Sequence, residues 1–142
     1  MKTIILKITM TCCLILGFKQ QLLAQEVTTG AQISFEKDSH NFGEVPIHGN
    51  TSYIFEFKNT GNEPLLIQQV KAPCSCTVAD WPKEPVLPGK TASIQVKYDS
   101  NRVGPINKSF LVLSNAANEP SKNLFIKGKV LPAVETTSTL TN

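Results

Sequence analysis

Residues 51–58 place Tyr53, Phe55 and Phe57 on one side of the chain and Ser52, Glu56 and Lys58 on the other, with Ile54 the only apolar residue out of phase. A repeat of two is the repeat of a strand with one buried and one wetted face, and it cannot form the 3.6-residue stripe of a helix. Residues 91–98 repeat it, with Ala92, Ile94, Val96 and Tyr98 set against Thr91, Ser93, Gln95 and Lys97. Strands patterned this way need a second apolar layer to cover them, which leaves sheet-on-sheet architectures as the natural solution.

The flanking sequence supplies that layer in short pieces divided by turn signals. Ile33-Ser34-Phe35 alternates and leads to His40-Asn41-Phe42-Gly43-Glu44-Val45, where Gly43 and Pro46 predict a kink or a strand switch. Asn59-Thr60-Gly61-Asn62-Glu63-Pro64 is a dense turn cluster, followed by an apolar run over 65–70. Trp81-Pro82-Lys83-Glu84-Pro85 reads as irregular. Leu87-Pro88-Gly89-Lys90 reads as a tight turn, with proline fixing φ and glycine permitting φ > 0. Residues 99–105 form a loop. Residues 106–113 form a strand whose centre, Phe110-Leu111-Val112-Leu113, is apolar on both faces. Residues 123–130 set Leu124, Ile126 and Val130 against Phe125, Lys127 and Lys129. No stretch sustains a helical repeat and none forms a βαβ unit. The expected fold is all-β: a single immunoglobulin-like sandwich of about seven strands over residues 31–131, with a flexible tail at 132–142.

The first two dozen residues are unlike the rest. Lys2 and Lys7 precede an apolar run over 8–18, and Leu22-Leu23-Ala24 places a small residue before Gln25. This is the layout of a secretory signal peptide over residues 1–24, with cleavage near Ala24-Gln25. The run is shorter than the ~20 residues needed to cross a bilayer, so no transmembrane segment is expected after cleavage. Thr9, Met10 and Thr11 do not fit the approach to a lipid-bearing Cys12 or Cys13. The formal charge of +3 rests on Lys2, Lys7 and Lys19, and the remainder carries eleven residues of each sign. No net positive field remains to hold nucleic acid. The expected location is extracytoplasmic, periplasmic or secreted, and of the four cysteines only Cys74 and Cys76 remain.

An ordered set of short motifs runs through the same region. It comprises His40-Asn41-Phe42-Gly43-Glu44-Val45, Tyr53-x-Phe55-Glu56-Phe57-x-Asn59-Thr60-Gly61-Asn62-x-Pro64-Leu65, Cys74-Ser75-Cys76-Thr77, Pro88-Gly89-Lys90, Ser114-Asn115 and Ile126-x-Gly128. Together they resemble the bacterial domain-of-unknown-function family 1573, immunoglobulin-like sandwiches similar to the ASPM–SPD2–Hydin and major sperm protein domains. The resemblance covers roughly residues 33–130 and implies a fold and an extracytoplasmic setting, but no reaction. One departure is Ser75, where the family commonly has glycine between the cysteines.

Cys74 and Cys76 carry the most chemistry. On a straight strand their Cβ atoms stand ~7 Å apart, whereas a disulfide needs about 3.8 Å, so bonding requires a curl at Ser75. Four readings stay open: a structural pair of thiols or a local disulfide, an exchangeable thiol pair, a soft Cu or Zn site, or a covalent link to another molecule. Two thiolates are too few for a closed metal site, so the third reading needs His40, His48 or a second chain. The sequence places neither histidine beside the cysteines. Asp38-Ser39-His40 holds the letters of a catalytic triad, but neighbours on an extended segment point to alternate sides. Glu56 and Glu63 read as solvated, and the sequons at Asn50 and Asn107 read as coincidental. Trp81 reads as a plug for one end of the sandwich or an exposed anchor, and Phe125 as an apolar patch or packing beneath a loop.

The expected function is therefore non-enzymatic: a binding or structural module of the cell envelope whose partner is another envelope protein or a glycan. Sheet edges would be available for β-augmentation. The alternative is redox or soft-metal handling through Cys74-Ser75-Cys76.

Overall fold

The computed structural model describes residues 29–133, so the leader at 1–24 and the tail beyond 133 lie outside the described residues. Eight strands follow one another: β1 (Ile33–Phe35), β2 (Ser39–Pro46), β3 (Ser52–Asn59), β4 (Ile67–Lys71), β5 (Thr77–Asp80), β6 (Thr91–Tyr98), β7 (Gly104–Ser114) and β8 (Ser121–Leu131). They form two four-stranded sheets, one ordered β1-β3-β6-β5 and the other β2-β8-β7-β4. The all-β sandwich expected from the alternation is thus present, with one strand more than about seven. The added strand is β5, only four residues long and hidden between the cysteine motif and Trp81-Pro82.

The two alternating segments are the central strands of the first sheet. They pair antiparallel with Tyr53 opposite Val96, Phe55 opposite Ile94 and Phe57 opposite Ala92. Phe55, Phe57, Ile94 and Val96 are buried and meet Ile106, Phe110, Val112, Leu124, Ile126 and Val130 of the second sheet in one core. Each such side chain contributes about 1.5–3 kcal/mol by leaving water. Ile54, the residue out of phase, lies on the outer face and is 51% exposed. On β7 the two apolar faces divide as expected. Phe110 and Val112 are buried inside, while Leu111 and Leu113 are half-buried outside, in register with Lys71 and Asn123 and with Gln69 and Ser121 respectively.

The chain changes sheets between β1 and β2. β2 then runs parallel to β8, with a bulge between Asn41 and Glu44 and its end at Pro46. Gly43 and Pro46 therefore mark a bulge and a strand end, and the sheet switch comes earlier, between Phe35 and Ser39. The apolar run at 65–70 is only partly strand. Leu65 forms an isolated bridge with Val86, and β4 starts at Ile67. β7 and β8 each begin two residues before the sequence expectation.

Asparagine side chains hold the turns. Asn59, fully buried, donates from Nδ2 to the carbonyls of Glu63 (2.7 Å) and Val86 (2.9 Å) and accepts at Oδ1 from the N–H groups of Gly61 (3.0 Å) and Gln32 (3.4 Å). Its backbone joins the neighbouring turn, where the Lys90 N–H closes on the Leu87 carbonyl and Gly89 sits at φ 76°. That is the proline–glycine turn read from the sequence. Gly61 is required for closeness, since a Cβ there would lie 2.2 Å from the Gly30 carbonyl oxygen. Asn118 accepts from the Ile33 N–H and donates to the Ile33 carbonyl, as a neighbouring strand would. Asn115 does the same for the Leu66 N–H and the Pro64 carbonyl.

Candidate binding cleft and disulfide turn

The Cys74-Ser75-Cys76 segment is the crossing from β4 in one sheet to β5 in the other. Exposed Pro73 precedes it, and the chain curls there. The Thr77 N–H donates to the Cys74 carbonyl at 3.3 Å, and the Cα atoms of Cys74 and Cys76 are 5.2 Å apart, closer than a straight strand allows. The sulfurs are bonded, with S–S at 2.03 Å. Two anchors fix the turn: the Thr77 hydroxyl donates to the Cys74 carbonyl (3.0 Å), and the Asp99 N–H donates to the Cys76 carbonyl (2.8 Å). Both cysteines are half-buried, Ser75 is exposed, and neither sulfur belongs to the core. A cross-link closing so short a loop removes little unfolded-chain entropy, about 1.6 kcal/mol by loop-closure arithmetic.

Beside this turn three loops converge on an open cleft of about 630 Å³. One side is His48, Gly49 and Asn50, another Ser75 and Cys76, the third Asp99, Ser100 and Asn101, with Val78, Lys97 and Tyr98 between them. His48 takes φ 64° and its Nδ1 lies 2.7 Å from Asn101 Oδ1. The Ser100 hydroxyl, buried, donates to the Gly49 carbonyl at 2.7 Å. The loops are thus tied to one another independently of any bound molecule. Val78, on edge strand β5, is 65% exposed and is the most exposed large apolar side chain among the described residues. Sequence reasoning singled out His48 and the cysteines but not Val78, because β5 is too short to announce itself, and it read Lys97 only as part of the wetted face of β6.

The structure separates the two histidines. His48 shares the cleft with Cys76, whereas His40 stacks on Tyr53 (ring centroids 3.7 Å) and meets Phe42 edge-on (4.6 Å). Among the described residues no three His, Cys, Asp or Glu side chains come together in a group able to hold a metal ion. The Cu or Zn site considered for Cys74, Cys76, His40 and His48 therefore has no assembled ligand set there, and the bonded sulfurs offer no thiolate. Of the triad-like letters, Asp38 pairs with Lys122 at 3.8 Å while His40 stacks on Tyr53.

Trp81 is half-buried against the core, with Lys83 Nζ 3.1 Å from its ring centroid. Phe125 is 39% exposed on the outer face of β8, between Ser39 and Ser109 in register. Asn50 and Asn107 are exposed, and Asn50 Oδ1 accepts from the Ser52 N–H.

Burial holds the His40 imidazole below its ordinary pKa, and the Lys37 charge adds to the effect. The unfolded chain then binds the proton at a higher pH than the native state does. Stability supplied by neutral His40 is present above about pH 6.5 and is lost as pH falls from there through the lowered native value. The expected result is a melting-temperature advantage of wild type over His40→Gln that shrinks between pH 7.5 and pH 5.5. Parallel melting curves for the two proteins across that range would contradict it.

The class of protein follows from the two sheets, the early sheet switch and the parallel β2–β8 pairing: an all-β, immunoglobulin-like sandwich. The chain belongs to the family described as protein of unknown function (DUF1573), whose model matches residues 33–130. Among solved structures it is similar to a protein of unknown function from Porphyromonas gingivalis W83, with TM-score 0.63, 15% identity and 77% of this chain covered; the match spans about half (51%) of that protein. It is also similar to the ASH/PapD-like domain 7 of human CEP192, with TM-score 0.60, 9% identity, 72% of this chain and 87% of that one. A third is the VesB protease of Vibrio cholerae, with TM-score 0.56, 18% identity, 70% of this chain and 31% of that one. At these identities the likeness is one of fold. No curated protein matches the chain.

Proposed function

We infer that this protein is an exported, non-enzymatic module of the cell envelope that binds an extended segment of a protein partner at the loop end of its sandwich. The observation that carries this reading is the cleft of tied loops lying beside the open edge of β5, with Val78 exposed between them. An edge strand with an adjoining pocket is the arrangement used in β-augmentation, where the ladder gives affinity and the pocket gives specificity; on β5 the Thr77 N–H is closed on the Cys74 carbonyl, so the ladder would form beyond it.

The other edges are less suited. Asn118 already occupies both backbone groups of Ile33 on β1. Asn115 occupies the entry to β4. The bulge at Asn41/Glu44 and the proline at 46 interrupt β2. A protein partner is favoured over a glycan because the cleft adjoins an edge strand, Lys83 covers Trp81, Phe125 stands apart, and half-buried Tyr98 is the one aromatic side chain besides His48 in the cleft lining. The leader-like residues 1–24 support export, and an intramolecular disulfide suits an oxidising compartment.

A photo-crosslinking amino acid at Val78, in the full chain expressed in its own envelope, is expected to capture a discrete protein adduct. The same probe at Ser34 on β1 should capture none. The processed chain is expected to begin at Gln25 by N-terminal sequencing. Recovery of monomer alone from the Val78 probe would defeat the binding reading, and an intact Met1 terminus would defeat export.

A further inference from the structure

We propose that the Cys74–Cys76 bond is a thiol–disulfide exchange site that accepts two electrons from a dithiol, entering through the cleft at Cys76. The inference goes beyond binding and does not depend on it.

Three observations meet at this turn. The bond lies outside the core and closes a very short loop, so it can open while the sheets stay together. Cys76, and not Cys74, lines the cleft, whose lining pairs one cation, Lys97, with one carboxylate, Asp99, so an incoming thiolate meets no net like charge there. Finally, the buried Thr77 hydroxyl stands 3.8 Å from Cys74 Sγ. A hydroxyl rotates freely, so its proton can turn from the Cys74 carbonyl to a Cys74 thiolate.

These positions assign the roles. A thiolate of the incoming dithiol attacks Cys76 Sγ. The new intermolecular S–S bond forms as the Cys74–Cys76 bond breaks, and the electron pair of that bond departs on Cys74 Sγ as a thiolate, to which the Thr77 hydroxyl turns to donate a hydrogen bond. The second thiol of the dithiol, after losing its proton to solvent, attacks its own partner sulfur and releases Cys76 as thiolate. The dithiol ends as a disulfide, and both cysteines end reduced, taking up the two protons that the dithiol gave to water.

Purified, folded protein treated with dithiothreitol, itself a dithiol, is the direct probe. Both cysteines are expected to become alkylatable without denaturant, with the circular dichroism spectrum unchanged. A bond that yields only after unfolding would overturn the proposal. Direction of entry is read from single-cysteine variants and an aromatic disulfide reagent. Cys74→Ser, which leaves Cys76 in the cleft, is expected to react about tenfold faster than Cys76→Ser; equal or reversed rates would overturn the assignment. Thr77→Val is expected to slow reduction about tenfold while Thr77→Ser restores it, and a Thr77→Val rate equal to wild type would remove Thr77 from the step. None of these outcomes bears on the Val78 crosslink, so the two readings fail separately.

Discussion

Replacing Asn59 with leucine is expected to cost the domain about 3–4 kcal/mol and to lower its melting temperature by roughly 12–30 °C. The side chain has no exposure and four backbone partners. Leucine fills the space but leaves the N–H groups of Gln32 and Gly61 and the carbonyl of Glu63 without that partner. Each group of this kind costs about 1–3 kcal/mol when buried, with the lower figures applying where water can reach it. Val86 contributes least, because its carbonyl also accepts from the Leu65 N–H at 2.9 Å. Asn59→Asp separates polarity from shape: it keeps the volume, but replaces Nδ2 with an oxygen facing two carbonyls. It should be at least as damaging as leucine near neutral pH, since it also buries a charge. Asn62 makes a comparable bond to the Gly30 N–H, but an exposed one, so Asn62→Leu should lose no more than about 1 kcal/mol. Thermal melts of the three variants give the comparison. An Asn59→Leu shift no larger than that of Asn62→Leu would show that the hub does not hold the turn.

That contrast explains why the family-like motifs spoke for fold and not for function. Asn59-Thr60-Gly61-Asn62, Pro88-Gly89-Lys90 and Ser114-Asn115 are the hydrogen-bonded brackets that tie β1, β3 and β4 to the loops. Such residues are dictated by backbone geometry, and the sequence displays geometry well. The long strands were legible for the same reason: burial of one face imposes a period of two on every residue in them. β5 was not legible, because four residues between a curl and a proline carry too little periodicity to be read. The cleft was not legible either. Its lining comes from loops around residues 48–50, 75–76 and 99–101, and only the pairing of β5 with β6, and of β6 with β3, brings them together. Cys74-Ser75-Cys76 could be recognised as chemistry in the chain, but its bond, its Thr77 neighbour and its access through Cys76 are properties of the crossing between sheets.

Phe110 and Phe125 test the same period-two logic from opposite sides of one sheet. They lie one register step apart on the paired strands β7 and β8, Phe110 opposite Leu124 and Phe125 opposite Ser109. Phe110 has no exposure and faces the core; Phe125 is 39% exposed and faces outward. Phe110→Ala removes most of an aromatic ring from between two sheets that cannot close fully around the gap, at an expected cost of about 3–5 kcal/mol. In a domain of this size that shifts the melting temperature by roughly 12–40 °C, enough to threaten folding if total stability lies near the low end of the usual range. Phe125→Ala loses only outer-face contact and should remain within about 1 kcal/mol of wild type. Chemical denaturation with a common m-value would measure both without reliance on reversible heating. If the two substitutions cost the same, the inside and outside of the second sheet would be wrongly assigned, and with them the β7–β8 register on which its half of the core rests.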